Sequence, residues 1–419
     1  MGFIDVDSHV LEVPDTWDYL EPAERHFRPQ IARFEDGSVV RLGARASKVG
    51  LPRTPSQLYF AGDTWTRLIP PHGAMSPHVN KYDPGMLDLT DPAKRIECLD
   101  ALGIDVQVLI STIYIGLEID NPLEEAALAR SWNRWLGERL AGWTDRLAWV
   151  LRPPLRMMDR ALEELEYGAS HGAVGVHLRG IEHDMYLCDP YFFPLYERAQ
   201  DLNLAIVVHN GSTIRMKPGF PIGNFTPHAP ALMLQLWGIM SGFHAVIGSD
   251  LPERFPRLRW GFIEGGAGFT LPVMHQHTRR DMSIGVAPFL DPKPLRADDI
   301  EAMNIFVSVE TDEDVPYLTR ALGEQTLTVG TDFGHNDLGT ELGAHQTILA
   351  REDIPAAQAA RMVDANGRKL YAIDPGFRPA SSPPSTYLPH VEAAAGGPPI
   401  VVPSWVRDLR SAAAELQPS

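Results

Sequence analysis

Short runs of β-branched and small apolar residues recur along the chain, each followed by an amphipathic segment of helical length. That alternation predicts parallel β/α architecture. Eight runs stand out: FIDVD at 3–7, VQVLIS at 106–111, LAWVL at 147–151, AVGVHL at 173–178, LAIVVH at 204–209, RWGFIE at 259–264, IFVSVE at 305–310 and TLTVGTD at 326–332. Eight strands alternating with helices predict a closed (β/α)8 TIM barrel of the α/β class rather than an open sheet. The helices are legible between them. Ile96, Leu99 and Leu102 sit at helical spacing in 93–102 and stop at Gly103, and 123–140 follows the start signal Asn121-Pro122. A third helix, 161–166, is expected to break at Gly168.

Two regions depart from this rhythm. Residues 14–88 are too long for a plain loop after the first strand and carry Trp17, Tyr19, Phe27, Phe34, Tyr59, Phe60, Trp65 and Tyr82. Such loops emerge on the catalytic face of a barrel, so the insertion is read as a lid or pocket wall, with a decoration on the barrel's side as the alternative. After Tyr371, eight prolines fall between Pro375 and Pro403, which predicts an extended, irregular tail ending in a short helix from Trp405 to Leu416. The chain thus divides into a barrel at 1–373, with its insertion at 14–88, and a tail at 374–419.

Parity along a strand indicates which side chains meet near the barrel axis. In the first strand, Asp5, Asp7 and His9 share one face, and Ile4 and Val6 the other. In the eighth, Thr326, Thr328, Gly330 and Asp332 are assigned inward. The fifth strand ends in His209. The sixth ends in Glu264, in phase with Trp260 and Phe262, and the fourth presents His177 in phase with Ala173 and Gly175. Any one of these has a dull explanation, such as a hydrogen bond to a loop carbonyl or a helix cap. Five strands delivering an ionisable residue to one end point instead to a site. Asp7, Glu264 and Asp332 clustered in a partly dry pocket would repel one another, and a divalent cation is the simplest remedy.

Composition narrows the partners. The chain has 54 acidic and 37 basic residues for a formal net charge of −17, with 44% hydrophobic and 22% charged positions. That is ordinary globular composition, and so acidic a surface disfavours nucleic acid and anionic lipid. No apolar run approaches the roughly 18 residues of a membrane span, and MGFIDVDSHV lacks the features of a signal peptide, so a cytoplasmic protein is expected. Cys98 and Cys188 are far from any CxxC spacing and are read as two buried thiols rather than a disulfide or zinc knuckle.

The motifs DVDSH at 5–9, RIECLDALGIDVQVL from Arg95, GAVGVHL from Gly172, VVHNGS from Val207, RFPRLRWGFIEGG from Arg254, VGTDFGH from Val329 and DANGRKLY from Asp364 occur in an order that resembles a known family. It is the amidohydrolase-related branch of the amidohydrolase superfamily, which includes aminocarboxymuconate-semialdehyde decarboxylase, aromatic-acid decarboxylases and carbon–carbon hydrolases. The resemblance covers most of 1–373. It implies one divalent metal ion, zinc in the first instance with manganese or iron as alternatives, held by Asp7, His9, His209 and Asp332. Three positions depart from the family pattern. Asp7 replaces the first residue of the usual HxH or ExH pair, Glu264 stands where the sixth strand normally supplies a histidine, and Gly334 replaces a proline often found before the last motif's histidine, His335.

Asp332, as a fourth ligand or an acid–base group, Glu264, as a further ligand or a general base, and His335 are the candidates for catalysis. Arg179, in phase with His177 and suited to a substrate carboxylate, is a candidate for substrate contact together with His177 and His244. For Arg179 the competing reading is a salt bridge, and for His244 and His335 loop histidines satisfied by backbone. Asp5 is read as orienting a ligand. The Gly265–Gly268 stretch lacks the spacing and lysine of a phosphate loop and is read as allowing close backbone approach. His275 and His277 fall on different faces of a helix, which argues against chelation. The acidic stretch from Glu310 to Asp314 is read as the solvated start of a helix, with Glu310, at the end of the seventh strand, reaching the pocket as the alternative. The leading expectation is a metal-dependent hydrolase that cleaves a C–N or C–C bond of a small aromatic or carboxylated molecule through a metal-activated water. The alternative is non-oxidative decarboxylation, which the missing sixth-strand histidine counts against, and the third is a catalytically silent binding barrel. A homodimer exchanging C-terminal arms is the expected assembly.

Overall fold

The computed structural model describes residues 2–34, 39–40, 48–49, 56–61, 64–68, 84–115, 118–211, 231–281, 294–335 and 339–373. Eight parallel strands, β1 (Ile4–Val10), β2 (Val106–Ser111), β3 (Leu147–Leu151), β4 (Ala173–Arg179), β5 (Ala205–His209), β6 (Trp260–Ile263), β7 (Ile305–Val309) and β8 (Leu327–Val329), pair in that order. The seam between last and first strand is closed just beyond β8, where Asp332 N donates to Asp7 O at 3.0 Å and His9 N to Phe333 O at 2.6 Å. The result is the (β/α)8 barrel expected from the alternation.

Helices form where local chemistry starts and stops them. Pro92 opens α1 (Pro92–Leu102), which ends at Gly103 in the left-handed region with φ of 78°. Asn121 caps α2 (Pro122–Arg139) by accepting from Leu123 N. The expected break at Gly168 is corrected: α3 runs Met158–Ser170 straight through it. A Cβ on Gly168 would lie 2.4 Å from Leu151 Cδ2, so this glycine lets the helix approach the sheet rather than ending it.

The core has two layers. Leu109, Trp149, Leu178, Val208, Trp260 and Val329 face the helices, joined by Trp132 of α2. The alternate positions Val108, Val150, Val207 and Ile263 face the axis together with Ile4, Val6 and, from the final helix Asn366–Tyr371, Leu370 and Tyr371. Tyr371 Oη donates to Val6 O at 2.9 Å, and a Cβ on Gly261 would lie 3.0 Å from Leu370 Cδ2. This end of the barrel is plugged by apolar side chains, which leaves the ends where the strands terminate for chemistry.

Of the insertion, the described parts include an antiparallel sheet of Gln30–Phe34, Ser56–Ala61 and Thr64–Leu68, the last of which lies against the Ile113–Ile115 turn that follows β2. Trp17 is buried and packs in the main core. The side chains of Phe34, Tyr59, Phe60, Trp65 and Tyr82, and the whole tail at 374–419, lie outside the described residues. Among the described residues no helix is long and apolar enough to cross a membrane.

Candidate metal centre

β1 does not keep uniform parity. Its register with β2 steps from Asp5 opposite Gln107 to Ser8 opposite Leu109, so three residues of one strand span two of the other. This bulge turns Asp7 and His9 inward although Ile4 and Val6, of the opposite phase, are already inward. The shared face expected for Asp5 is therefore corrected. Asp5 instead takes Thr331 N (2.8 Å), Thr331 Oγ1 (2.5 Å) and Gln107 Nε2 (2.8 Å), and Gln107 is in turn held by Arg95 of α1. Burial pushes the Asp5 carboxyl up to about 7 against those bonds. By gripping Thr331, Asp5 fixes the chain just before Asp332.

β6 holds a second departure. Trp260 and Phe262 face the helices, where they meet Tyr196 and Phe243 edge-on, so strict alternation would send Glu264 outward as well. Glu264 has φ of 63° and Asp332 φ of 52°. The left-handed backbone ends each strand abruptly and swings the carboxyl over the axis. Gly334, with φ of 107°, lies where a Cβ would be 2.9 Å from His9 O. Proline cannot adopt that φ, which accounts for its replacement here.

Four buried atoms converge. Asp7 Oδ1 lies 3.5 Å from His9 Nε2 and 3.4 Å from His209 Nε2, and Asp332 Oδ1 lies 3.3 Å from His9 Nε2. Asp7 Oδ1, His9 Nε2 and His209 Nε2 lack a hydrogen-bond partner among the described residues, whereas Asp332 Oδ1 lies against His335 Nδ1. Orphaned buried polar atoms are costly, and two overlapping donor sets, Asp7, His9 and His209 on one side and His9, Asp332 and His335 on the other, are each close enough together to hold one ion. His209 Nδ1 faces Asn210 O at 2.6 Å and Glu264 Oε2 at 3.3 Å, which holds a proton on Nδ1. Burial lowers the imidazole, but Glu264 and Asp7 outweigh it and raise it to about 9, and an ion would take the place of its Nε2 proton. Burial acts to raise Asp7, but His209 and His9 outweigh it and keep the carboxylate ionised. Asp332 is likewise held below its ordinary value by His335 and His9 against burial. Ionised carboxylates, and an imidazole whose Nδ1 proton is engaged so that Nε2 can exchange its own proton for an ion, form a donor set that fits a divalent metal.

Further titratable side chains surround these donors. His335 Nδ1 is 2.7 Å from Asp332 Oδ1 and 3.7 Å from Glu264 Oε1, and its ring stacks on His9 at 3.7 Å. Thr340 Oγ1 donates to Asp332 Oδ2 at 2.8 Å. Burial raises Glu264, and burial together with Glu313, Asp7, Glu264 and Asp332 raises Glu310 to about 8. His177 is fully buried, lies edge-on to His209 at 5.8 Å, and has no hydrogen bond at either ring nitrogen.

Two substrate candidates lie elsewhere. Arg179 is buried and committed to Glu182 (Nη2 to Oε2 2.6 Å), which also pairs with Arg152 (Nη1 to Oε1 2.8 Å). His244 is exposed on the helix Ala231–Ile247 and meets His277 at 5.6 Å. Sequence reasoning also missed the His183 bridge between Glu118 (3.2 Å) and Glu125 (2.8 Å), which strand parity could not reveal because all three lie outside strands.

Residues 63–373 match the family model described as Amidohydrolase. The chain belongs to the amidohydrolase family. It is an enzyme of hydrolase or carboxy-lyase type, and members of the family bind a divalent metal. The chain is 23% identical over 297 residues to a 2-amino-3-carboxymuconate-6-semialdehyde decarboxylase of Dictyostelium discoideum, covering 68% of this chain and 77% of that protein. It is similar in structure to an amidohydrolase from Mycobacterium avium subsp. paratuberculosis, with a TM-score of 0.65, 18% identity and coverage of 90% and 99% of the two chains. A dihydroxybenzoic acid decarboxylase from Polaromonas sp., with bound manganese and the inhibitor 2-nitroresorcinol, gives a TM-score of 0.56 at 15% identity, covering 88% of this chain and 97% of that one.

Proposed function

We propose that this amidohydrolase is a metal-dependent carboxy-lyase acting on a small aromatic or unsaturated acid. The observation that carries this reading is the pair of buried donor sets that share His9, one with Asp7 and His209 and the other with Asp332 and His335, flanked by Glu264. The decarboxylases among its relatives support this choice of reaction. Zinc or manganese suits the mixed imidazole and carboxylate donors, and manganese in the Polaromonas enzyme supports the latter. A divalent ion held there supplies Lewis acidity toward a substrate oxygen.

The chain's own groups manage the proton. The bond from carbon to carboxylate breaks, its electron pair stays on the carbon, and Glu264, raised by burial, delivers a proton to that carbon as carbon dioxide leaves. His335, seated between Asp332 and Glu264, returns a proton to Glu264. His177 offers a buried ring to a substrate oxygen. The insertion at 14–88 serves as a lid, consistent with the strand Thr64–Leu68 against the turn after β2.

A carboxylate in place of the usual histidine at Glu264 favours a second reading, hydrolysis of a C–N or C–C bond, in which Glu264 takes a proton from the attacking water. Conversion in isotopically labelled water separates the two. Carbon dioxide release with a solvent proton on carbon is the expected result, whereas solvent oxygen in the product establishes hydrolysis. Absence of bound metal in freshly purified protein, with no change in His209→Ala or Asp332→Ala, would sink both.

A further inference from the structure

The stretch Gly265–Gly268 after β6 forms a cup of backbone N–H groups, and a side chain of the same molecule fills it. The Glu313 carboxylate accepts from Ala267 N at 2.9 Å, from Gly268 N at 2.6 Å and from Glu310 N at 2.9 Å. Gly266 has φ of 63°, and a Cβ on Gly266 or on Gly268 would lie 3.0 Å from Glu313 Oε1. Small residues at both positions make room for the carboxylate. It ties the loop after β6, which begins at Glu264, to the loop after β7, which begins at Glu310. From the other side, Glu264 N donates to Ser308 Oγ of β7 at 3.0 Å. A left-handed, non-glycine residue persists only where its surroundings over-determine it, and at Glu264 these two attachments do so.

We propose that Glu313 is a positioning residue of the metal centre, an internal anion whose seat in the backbone cup sets Glu264 against His209 and Glu310 at the rim. This rests on the place given to Glu264 in the proposed function. A merely structural carboxylate would hold the loops together without affecting ion binding. A positioning carboxylate leaves a vacant cup when truncated, and a cup of converging N–H groups accepts a small carboxylate from solution.

The test uses the full chain stripped with chelator and titrated with Mn2+ alone, with bound ion followed by electron paramagnetic resonance. Glu313→Ala is expected to weaken Mn2+ binding about tenfold, the scale seen when a group supporting a ligand is lost. Added acetate should restore most of that affinity, acetamide should not, and wild-type protein in the same acetate sets the baseline. Unchanged affinity in Glu313→Ala, or a loss that acetate cannot restore, overturns the proposal. If Glu313→Ala does not fold, Glu313→Gln replaces it. That variant keeps one accepting oxygen, so a smaller loss is expected and unchanged affinity again overturns the idea. Glu264→Gln separates the two levels. If it leaves Mn2+ binding unchanged, positioning of the centre through Glu264 fails, while its proposed role in proton delivery is untouched. If Glu264→Gln weakens binding while Glu313→Ala does not, only the role of Glu313 falls.

Discussion

A methyl group on Gly330 would lie 2.5 Å from the Cβ of Asp7, closer than two carbon atoms can rest. Gly330→Ala must therefore push Asp7 out of line with His209 and His9. We expect it to lower divalent-ion affinity by at least tenfold with the fold retained, as measured by ion titration and circular dichroism. Glu182 shows a different dependence, because it is the shared counter-ion of two buried guanidiniums, Arg152 and Arg179. Burial opposes its charge, but the two arginines outweigh that and hold its carboxyl well below the ordinary value. Glu182→Gln leaves two buried cations without their carboxylate. A loss of about 3–5 kcal/mol in urea unfolding is expected, since breaking a buried pair costs far more than the pair contributes. Asp7, His9, His209 and Asp332 were legible at this scale because each is an ionisable residue at the end of an apolar run. The commitment of Arg179 to Glu182 was not, because nothing in a strand-end arginine distinguishes a substrate clamp from an ion pair made three residues later.

Among the elements, the hairpin of Ile181–Glu182 and Met185–Tyr186 turns through His183 and Asp184, with φ of 51° and 66°. The turn is held to the segment after β2 by His183, whose ring bridges Glu118 and Glu125, with Arg156 paired to Glu118 and Arg179 acting on both acids. Burial lowers the imidazole, but Glu118 and Glu125 outweigh it and raise it above 6.5. A raised folded-state value contributes stability below the unfolded value and loses it as pH rises through the folded one. Wild-type protein should therefore exceed His183→Gln in urea midpoint at pH near 6, and the gap should shrink steadily as pH rises above 7. A gap that is constant across that range would mean the bridge is not charged. All eight strands were readable as elements, since short β-branched runs between helices leave little ambiguity. Their internal irregularities were not. Alternation assumes a uniform pleat, so the bulge in β1 concealed that Asp5 turns away from Asp7, and the left-handed turn at Glu264 brought it to the site although its neighbours Trp260 and Phe262 face outward.

At the scale of the molecule, the candidate metal centre and the barrel's closure occupy the same place. The first and last strands meet through only a few bonds: Asp332 N to Asp7 O, His9 N to Phe333 O, and Thr331 to Asp5. The candidate ligands lie on both sides of that seam, with Asp7 and His9 on β1 and Asp332 just beyond β8, so an ion shared by them ties together segments more than three hundred residues apart in sequence. Seams elsewhere need no such tie, because β3, β4 and β5 pair over longer ladders and lie between packed helices. Removing the ion should therefore loosen the barrel unevenly. With chelator, the amides of His9, Thr331 and Asp332 should exchange hydrogen markedly faster, while those of Val176, Leu178 and Val207 keep their protection. Melting temperature should fall with the same treatment and recover with excess ion, the unfolding free energy gaining about 2.7 kcal/mol at free ion a hundredfold above the dissociation constant. Asp332→Ala should abolish both responses. Equal acceleration of exchange around the whole barrel would show that the ion stabilises the fold globally, and no change at the seam would separate the metal centre from barrel closure altogether.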